Sequence, residues 1–400
     1  MKNSKTKFFN AYNIYILLWL FGYIQNMLIN NSFVSLLFSL PFLGMTLYYI
    51  ARVILVCHPK GVMAALSFFF LVMVVYGFLL LLLNDARGQE RQSFLMMLFG
   101  SLGPIFSFYY FSKIGLLTEK RMISWLPVFL VVSIFSYYSF QQKGLALLAE
   151  TTGKQYEEIT NNVAYVFVGL LPFVFLLWKK TILQYVMIAL VMFFAVSGMK
   201  RGAMIIGIIM IVWFVFVSSR FSPRGRRIGI LLLTIAILII GYRFVMQLYE
   251  NSTYFQYRVE SSSLGNSGDD IRSTLYSTFW NHFINNENVL QILFGEGAYH
   301  TENLMGYKAH NDWLELLIDC GFLGVLVYFI YWVAFVIVWL KSKKDYLVYS
   351  MLGACFIYTF VRTIFSMSFN DIPFYTSIIL GYCFYWSNPI YNDVIKTNIQ

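Results

Sequence analysis

Six cations and one histidine between residues 200 and 362 have the residue types needed to hold an anion and move a proton. Lys200 and Arg201 sit in a very short hairpin, Ser197-Gly198-Met199-Lys200-Arg201-Gly202, and Arg243, Arg258, Arg272 and Arg362 follow at wide spacing. The planar guanidinium fork matches phosphate oxygens, so a diphosphate is the natural guest of such a cluster. His310 precedes Asn311 at the start of an apolar run. A helix N-terminus disfavours imidazolium, which leaves a neutral ring able to accept a proton from a hydroxyl. Asp312, Glu315 and Asp319 recur three and four residues apart, hence on one helix face.

Plainer readings stand beside these. Arg243 and Arg362 either bind the guest or pair with Asp312, Glu315, Asp319 and Asp371, or snorkel to headgroups. The acidic stripe is either the partner of those arginines or contains a residue, Glu315 among them, that orients His310 or an acceptor. A lone histidine at a helix start is otherwise a cap or a surface residue. His282 and His300 fit that description better than His310 does, and His58 falls on the opposite side of the membrane. No zinc spacing, glycine-rich phosphate loop or Asp-x-Asp pair stands near these residues, so neither a metal nor another cofactor is implied.

The elements that must position these groups are membrane helices. Of 400 residues, 59% are hydrophobic and 12% charged, against about 25% charged in ordinary globular domains. Apolar runs of about 20 residues recur, each long enough to cross a hydrocarbon core. They span as helices because lipid offers the backbone no partners. Met1 to Lys7 is basic and polar, and the apolar stretch after it reads as a first span without a small-residue cleavage site. Cys57, Cys320, Cys355 and Cys383 lie in or beside apolar runs without a spaced motif and read as buried apolar residues.

Spans are expected near 10–28, 33–56, 62–83, 93–112, 123–140, 162–178, 182–198, 203–218, 228–246, 312–340, 346–367 and 373–388. Twelve crossings put both termini on one side. That side then holds eighteen basic and three acidic residues, and the other holds eleven and sixteen. The positive-inside rule makes the basic side cytoplasmic. The net charge of +10 is thereby explained by topology, and nucleic acid is not a partner. The expected fold is all-α: one multi-pass domain over 1–400, with a large extracytoplasmic loop at 247–311.

That loop has internal order. A Ser/Gly stretch from Ser261 to Gly268 precedes Asp269 and Asp270, acids suited to a helix first turn. Ile271, Leu275, Phe279 and Phe283 then mark one face of a short helix lying on the outer membrane surface, with Arg272 in its first turn. Phe294-Gly295-Glu296-Gly297 reads as a turn. From His310 to Leu340 a continuous helix of 31 residues would be about 46 Å long. Its first turns therefore project from the hydrocarbon, or it tilts.

The arrangement resembles the O-antigen ligase and O-antigen polymerase (Wzy-type) superfamily of bacterial envelope glycosyltransferases. The residues that carry the resemblance are Ser197 to Gly202, Arg272 opening the loop helix, Gly295-Glu296-Gly297, and His310-Asn311-Asp312-Trp313-Leu314 followed by Gly321 and Gly324. Lys200 and Ile271 depart from the family's usual Ser and Gly before the two arginines. The resemblance implies a GT-C-like fold in the cytoplasmic membrane and, as substrate, an undecaprenyl-diphosphate-linked glycan drawn from membrane lipid. It also implies a flippase and a chain-length regulator as partners. By that resemblance Arg201, Arg272 and His310 are catalytic residues, while the reading of the residues themselves adds Lys200, Arg243, Arg258, Asn311, Glu315 and Arg362 as substrate-binding ones. Polymerase and ligase share these motifs. A transporter or flippase of lipid-linked glycan predicts ionisable residues at mid-membrane and two related halves. Here the charges collect at the outer boundary and the halves do not match.

Overall fold

The structure is a computed structural model that describes the backbone of residues 10–28, 32–83, 88–152, 159–221, 223–256, 271–297, 299–306, 308–366, 368–369 and 371–387. The expectations for Met1 to Lys7, for the Ser/Gly stretch and for Asp269 and Asp270 lie outside the described residues.

Every regular element among the described residues is helical: α1 (Ala11–Leu28), α2 (Ser32–Ala51), α3 (Val62–Leu83), α4 (Gly88–Ser101), α5 (Gly103–Lys113), α6 (Glu119–Thr152), α7 (Val163–Val168), α8 (Thr181–Ser197), α9 (Arg201–Phe221) and α10 (Arg224–Asn251). The long loop then contributes α11 (Ile271–Ile284), α12 (Val289–Phe294) and α13 (His300–Met305), before α14 (Asp312–Lys341), α15 (Tyr346–Phe365) and α16 (Phe374–Trp386). Among the described residues, eight helices are long and apolar enough to cross a membrane, and the chain is a multi-pass membrane protein on that ground. The stretches 163–177 and 181–197 are apolar but shorter.

Span 163–177 is short because it breaks. Its α-helix stops at Gly169, and Pro172 opens a 3₁₀ stretch, Leu171–Leu177. Proline lacks an N–H and frees carbonyls in the preceding turn. At membrane depth those carbonyls need partners from neighbouring helices. In that turn the Thr376 hydroxyl donates to the Gly169 carbonyl at 3.3 Å; beside it the Tyr358 hydroxyl donates to the Tyr165 carbonyl at 3.0 Å, and the Gln184 amide to Val174 beyond the proline at 2.9 Å.

The continuous helix expected after His310 is not continuous. Gly321, at φ 63 and ψ −165, interrupts α14. The twenty residues after it, 322–341, rise about 30 Å, close to the hydrocarbon thickness. The residues before the break fold back. The Tyr328 hydroxyl donates to Asp312 at 2.7 Å, although sixteen residues of straight helix would separate them by about 24 Å.

The loop helix appears where its period places it, but its apolar face meets protein. Leu275 and Phe279 are buried with Ala309 and Ile318, and Phe283 packs at the edge. The folded-back start of α14 covers the face that the sequence assigns to the membrane surface. The four cysteines are free, and Cys320, Cys355 and Cys383 are buried.

Candidate functional site

His310 occupies a tight turn immediately before α14. Its backbone is left-handed, at φ 53, and its side chain is exposed. Two neighbours hold that turn. Asn311 is the N-cap of α14: its side-chain oxygen accepts from the N–H groups of Trp313 and Leu314 at 3.0 and 3.2 Å. Its amide donates to the Ile364 carbonyl at 2.9 Å. Glu315, buried one turn into the helix, accepts from the Ala309 N–H at 2.8 Å. The Glu315 carboxylate thus fixes the backbone next to His310.

A tyrosine joins this turn to two other elements. The Tyr276 hydroxyl lies 3.3 Å from the His310 carbonyl and 3.1 Å from the Ile364 carbonyl. Tyr276 is four residues, one helical turn, beyond Arg272 in α11. Ile364 is two residues beyond Arg362 in α15. The helix of Arg272, the His310 turn and the end of the helix carrying Arg362 therefore meet at one hydroxyl.

Arg362 is buried, with 1% of its surface exposed, and donates to the Tyr358 hydroxyl and the Asp371 carbonyl at 3.0 and 2.8 Å. It also pairs with the Asp371 carboxylate. Its guanidinium lies 4.9 Å from the ring centre of Tyr165. The Lys200 ammonium lies 5.9 Å from that same ring, a cation–π arrangement on both counts. Lys200 arrives there because the 197–202 hairpin docks on the broken span, with the Asn161 N–H donating to the Gly198 carbonyl at 2.8 Å. Tyr165, Tyr358, Arg362 and Asp371 line a cavity of about 310 Å³ with Trp19, Tyr23 and Tyr375. A charged group at the base of an aromatic wall suits an amphipathic ligand with an anionic end.

The remaining positions divide. Arg201 is exposed at the first turn of α9, beside Lys200. Arg243 is exposed on α10. Arg258 lies outside the described residues, and so does the side chain of Arg272. The acidic stripe pairs with no arginine among the described residues; only Asp371 does. Asp312 accepts from the Ser368 N–H at 2.9 Å, and Asp319 from the Tyr299 and Thr301 N–H groups at 2.8 and 3.2 Å. Together with Glu315 these carboxylates tie down loop backbone.

A second cluster joins residues that sequence reading leaves at the surface. The His282 Nε2 and His300 Nε2 atoms lie 2.7 Å from the two Glu296 oxygens. Asn286 donates to the same carboxylate at 3.0 Å. Burial holds the His300 imidazole below its ordinary value, Glu296 opposes that shift, and His282 adds to it. The spacing of 282, 296 and 300 matches no short ligand motif, so only their meeting in space reveals them. Tyr165 and Tyr276 escape sequence reading for another reason, being two among 29 tyrosines. Comparison with family models, curated proteins and solved structures finds no match to this chain.

Proposed function

We propose that this protein is a polymerase of surface polysaccharide. It joins undecaprenyl-diphosphate-linked oligosaccharide repeat units by inverting, metal-independent glycosyl transfer on the outer face of a bacterial cytoplasmic membrane. The observation that carries this reading is the Tyr276 hydroxyl, within reach of both the His310 and Ile364 carbonyls, which brings a proton acceptor and the arginine-bearing helices together. The charge asymmetry of the twelve-span reading supports an outer-face position for this site, where lipid-linked repeat units would be presented.

The transfer needs positive charge where the leaving diphosphate develops negative charge. Arg362 and Lys200, both over the Tyr165 ring, supply it, with Arg201 in the first turn of α9. Arg272, near the start of α11, is the further cation that the resemblance assigns to the diphosphate. His310 takes the proton of the acceptor hydroxyl, and that oxygen attacks the anomeric carbon opposite the phosphate. The carbon–oxygen bond to phosphate breaks, the configuration inverts, and the lipid diphosphate departs with the bonding electrons. Side chains supply every positive charge in this step. The tyrosine and tryptophan faces of the 310 Å³ cavity suit the apolar faces of sugar rings.

The test is the glycan of a strain lacking the gene, complemented by His310→Ala or Arg201→Ala. Single repeat units on the acceptor are expected from each variant, with the protein present in the membrane at normal levels. Full-length glycan from either variant overturns the mechanism. Long lipid-linked chains that never reach an acceptor assign the protein as a ligase. Normal glycan with defective movement of lipid-linked units assigns it as a flippase.

A further inference from the structure

We propose that His282, Glu296 and His300 form a binding site for one divalent cation of the zinc class, which clamps the loop helices onto the break in α14. Three elements supply the ligands: His282 from the last turn of α11, Glu296 from the turn after α12, and His300 from the first residue of α13. The donor atoms all lie within 4.8 Å of one another. Two imidazoles and one carboxylate form a donor set that zinc accepts, with a fourth position left for water. Zinc–ligand bonds of about 2.0–2.1 Å in a tetrahedron set donors about 3.3 Å apart. The His–Glu separations of 2.7 Å therefore open by roughly half an ångström, a small side-chain rotation.

Two features prepare the site. The Asn286 amide orients the Glu296 carboxylate at 3.0 Å, the kind of support that metal ligands receive from neighbouring residues. The backbone of the ligand turn is itself fixed, because Glu296 and Gly297 donate their N–H groups to Ile318 and Asp319 at 2.9 and 3.0 Å. The open side faces a cleft of about 670 Å³ lined by Asn281, Asn285, Asn286 and Gln291, room for the water. His282 lies ten residues, about 15 Å, along α11 from Arg272. The ion therefore braces the loop and takes no part in the transfer proposed above.

The experiment uses the full chain in detergent, with its affinity tag removed and its metal stripped by chelator. Titration with Zn²⁺ is expected to show one ion per chain by calorimetry and elemental analysis, and Co²⁺ to give the visible bands of a tetrahedral site. Glu296→Gln keeps the hydrogen-bonding shape and removes the ligand charge. It is expected to weaken Zn²⁺ binding at least about 100-fold, beyond the loss seen when a residue merely orienting a ligand is removed. His300→Ala should do the same, and His58→Ala should leave binding unchanged. A wild-type chain that holds no stoichiometric ion overturns the proposal, because the three side chains are then only a hydrogen-bonded triad. So does a monodisperse Glu296→Gln chain that binds Zn²⁺ as tightly as wild type.

Discussion

At the residue scale, Asn311 carries two jobs on one side chain. Its oxygen caps α14 and its nitrogen bridges to the end of α15. Aspartate caps a helix as well as asparagine does, but cannot donate. Asn311→Asp is therefore expected to lose only the bridge, about 0.5–1.5 kcal/mol. Asn311→Ala loses the cap as well, a further 0.5–2 kcal/mol or about that. Thermal unfolding in detergent should rank wild type above Asn311→Asp, and Asn311→Ala lowest. Equal losses in the two variants would remove the cap from the account. The acidic residues nearby make the same point about roles. Asp312, Glu315 and Asp319 look like counter-ions in sequence, yet each accepts backbone N–H groups and so shapes the loops around His310.

At the element scale, the break in α14 determines where the loop can dock. Gly321 and Gly295 both have positive φ, 63° and 81°, and their backbones touch. A Cβ on Gly321 would lie 2.4 Å from the Gly295 nitrogen, and one on Gly295 would lie 2.3 Å from the Asp319 carbonyl oxygen. Gly321→Ala must therefore strain a backbone region that suits only glycine, at about 1–3 kcal/mol, and also push the turn away. We expect a loss of at least about 2 kcal/mol, read as a lower unfolding midpoint. Gly229→Ala, in a helix with nothing within 4 Å of the new atom, is the control. It should be neutral or gain up to about 1 kcal/mol. A Gly321→Ala protein as stable as that control would show that the helix does not need its break.

At the scale of the whole molecule, charge asymmetry and structure make one joint claim about orientation. The 197–202 hairpin bonds to Asn161, while the end of α15 bonds to Asn311 before α14, to Tyr276 of the loop helix and to Asp371; Lys200 and Arg362 meet over Tyr165. The twelve-span reading makes these segments extracytoplasmic. Single cysteines in a cysteine-free chain test it. Ser277→Cys, exposed on α11, should react with a membrane-impermeant maleimide in spheroplasts. Lys343→Cys, exposed between α14 and α15, should react only after permeabilisation. The reverse pattern would invert the topology and remove the lipid-linked substrate from the site.

The amino-acid sequence by itself determined the membrane class, eight of the twelve expected crossings among the described residues, an amphipathic loop helix over Ile271, Leu275, Phe279 and Phe283, the turn at Gly295 and the helix start at Asn311. Each of these depends on local quantities: hydropathy over about twenty residues, a period along one face, and a cap followed by an apolar run. Only the tertiary structure decided that α14 breaks at Gly321, since one glycine in a helical pattern is ordinarily tolerated and the cause is a second glycine 26 residues earlier. It also decided that Lys200 and Arg362 share the Tyr165 ring, that Leu275 and Phe279 face protein, and that Glu296 lies between two histidines. These features arise where segments far apart in the chain meet. Local pattern carries the propensity of each segment and not its partner, so contacts of this kind become visible only once the helices have packed.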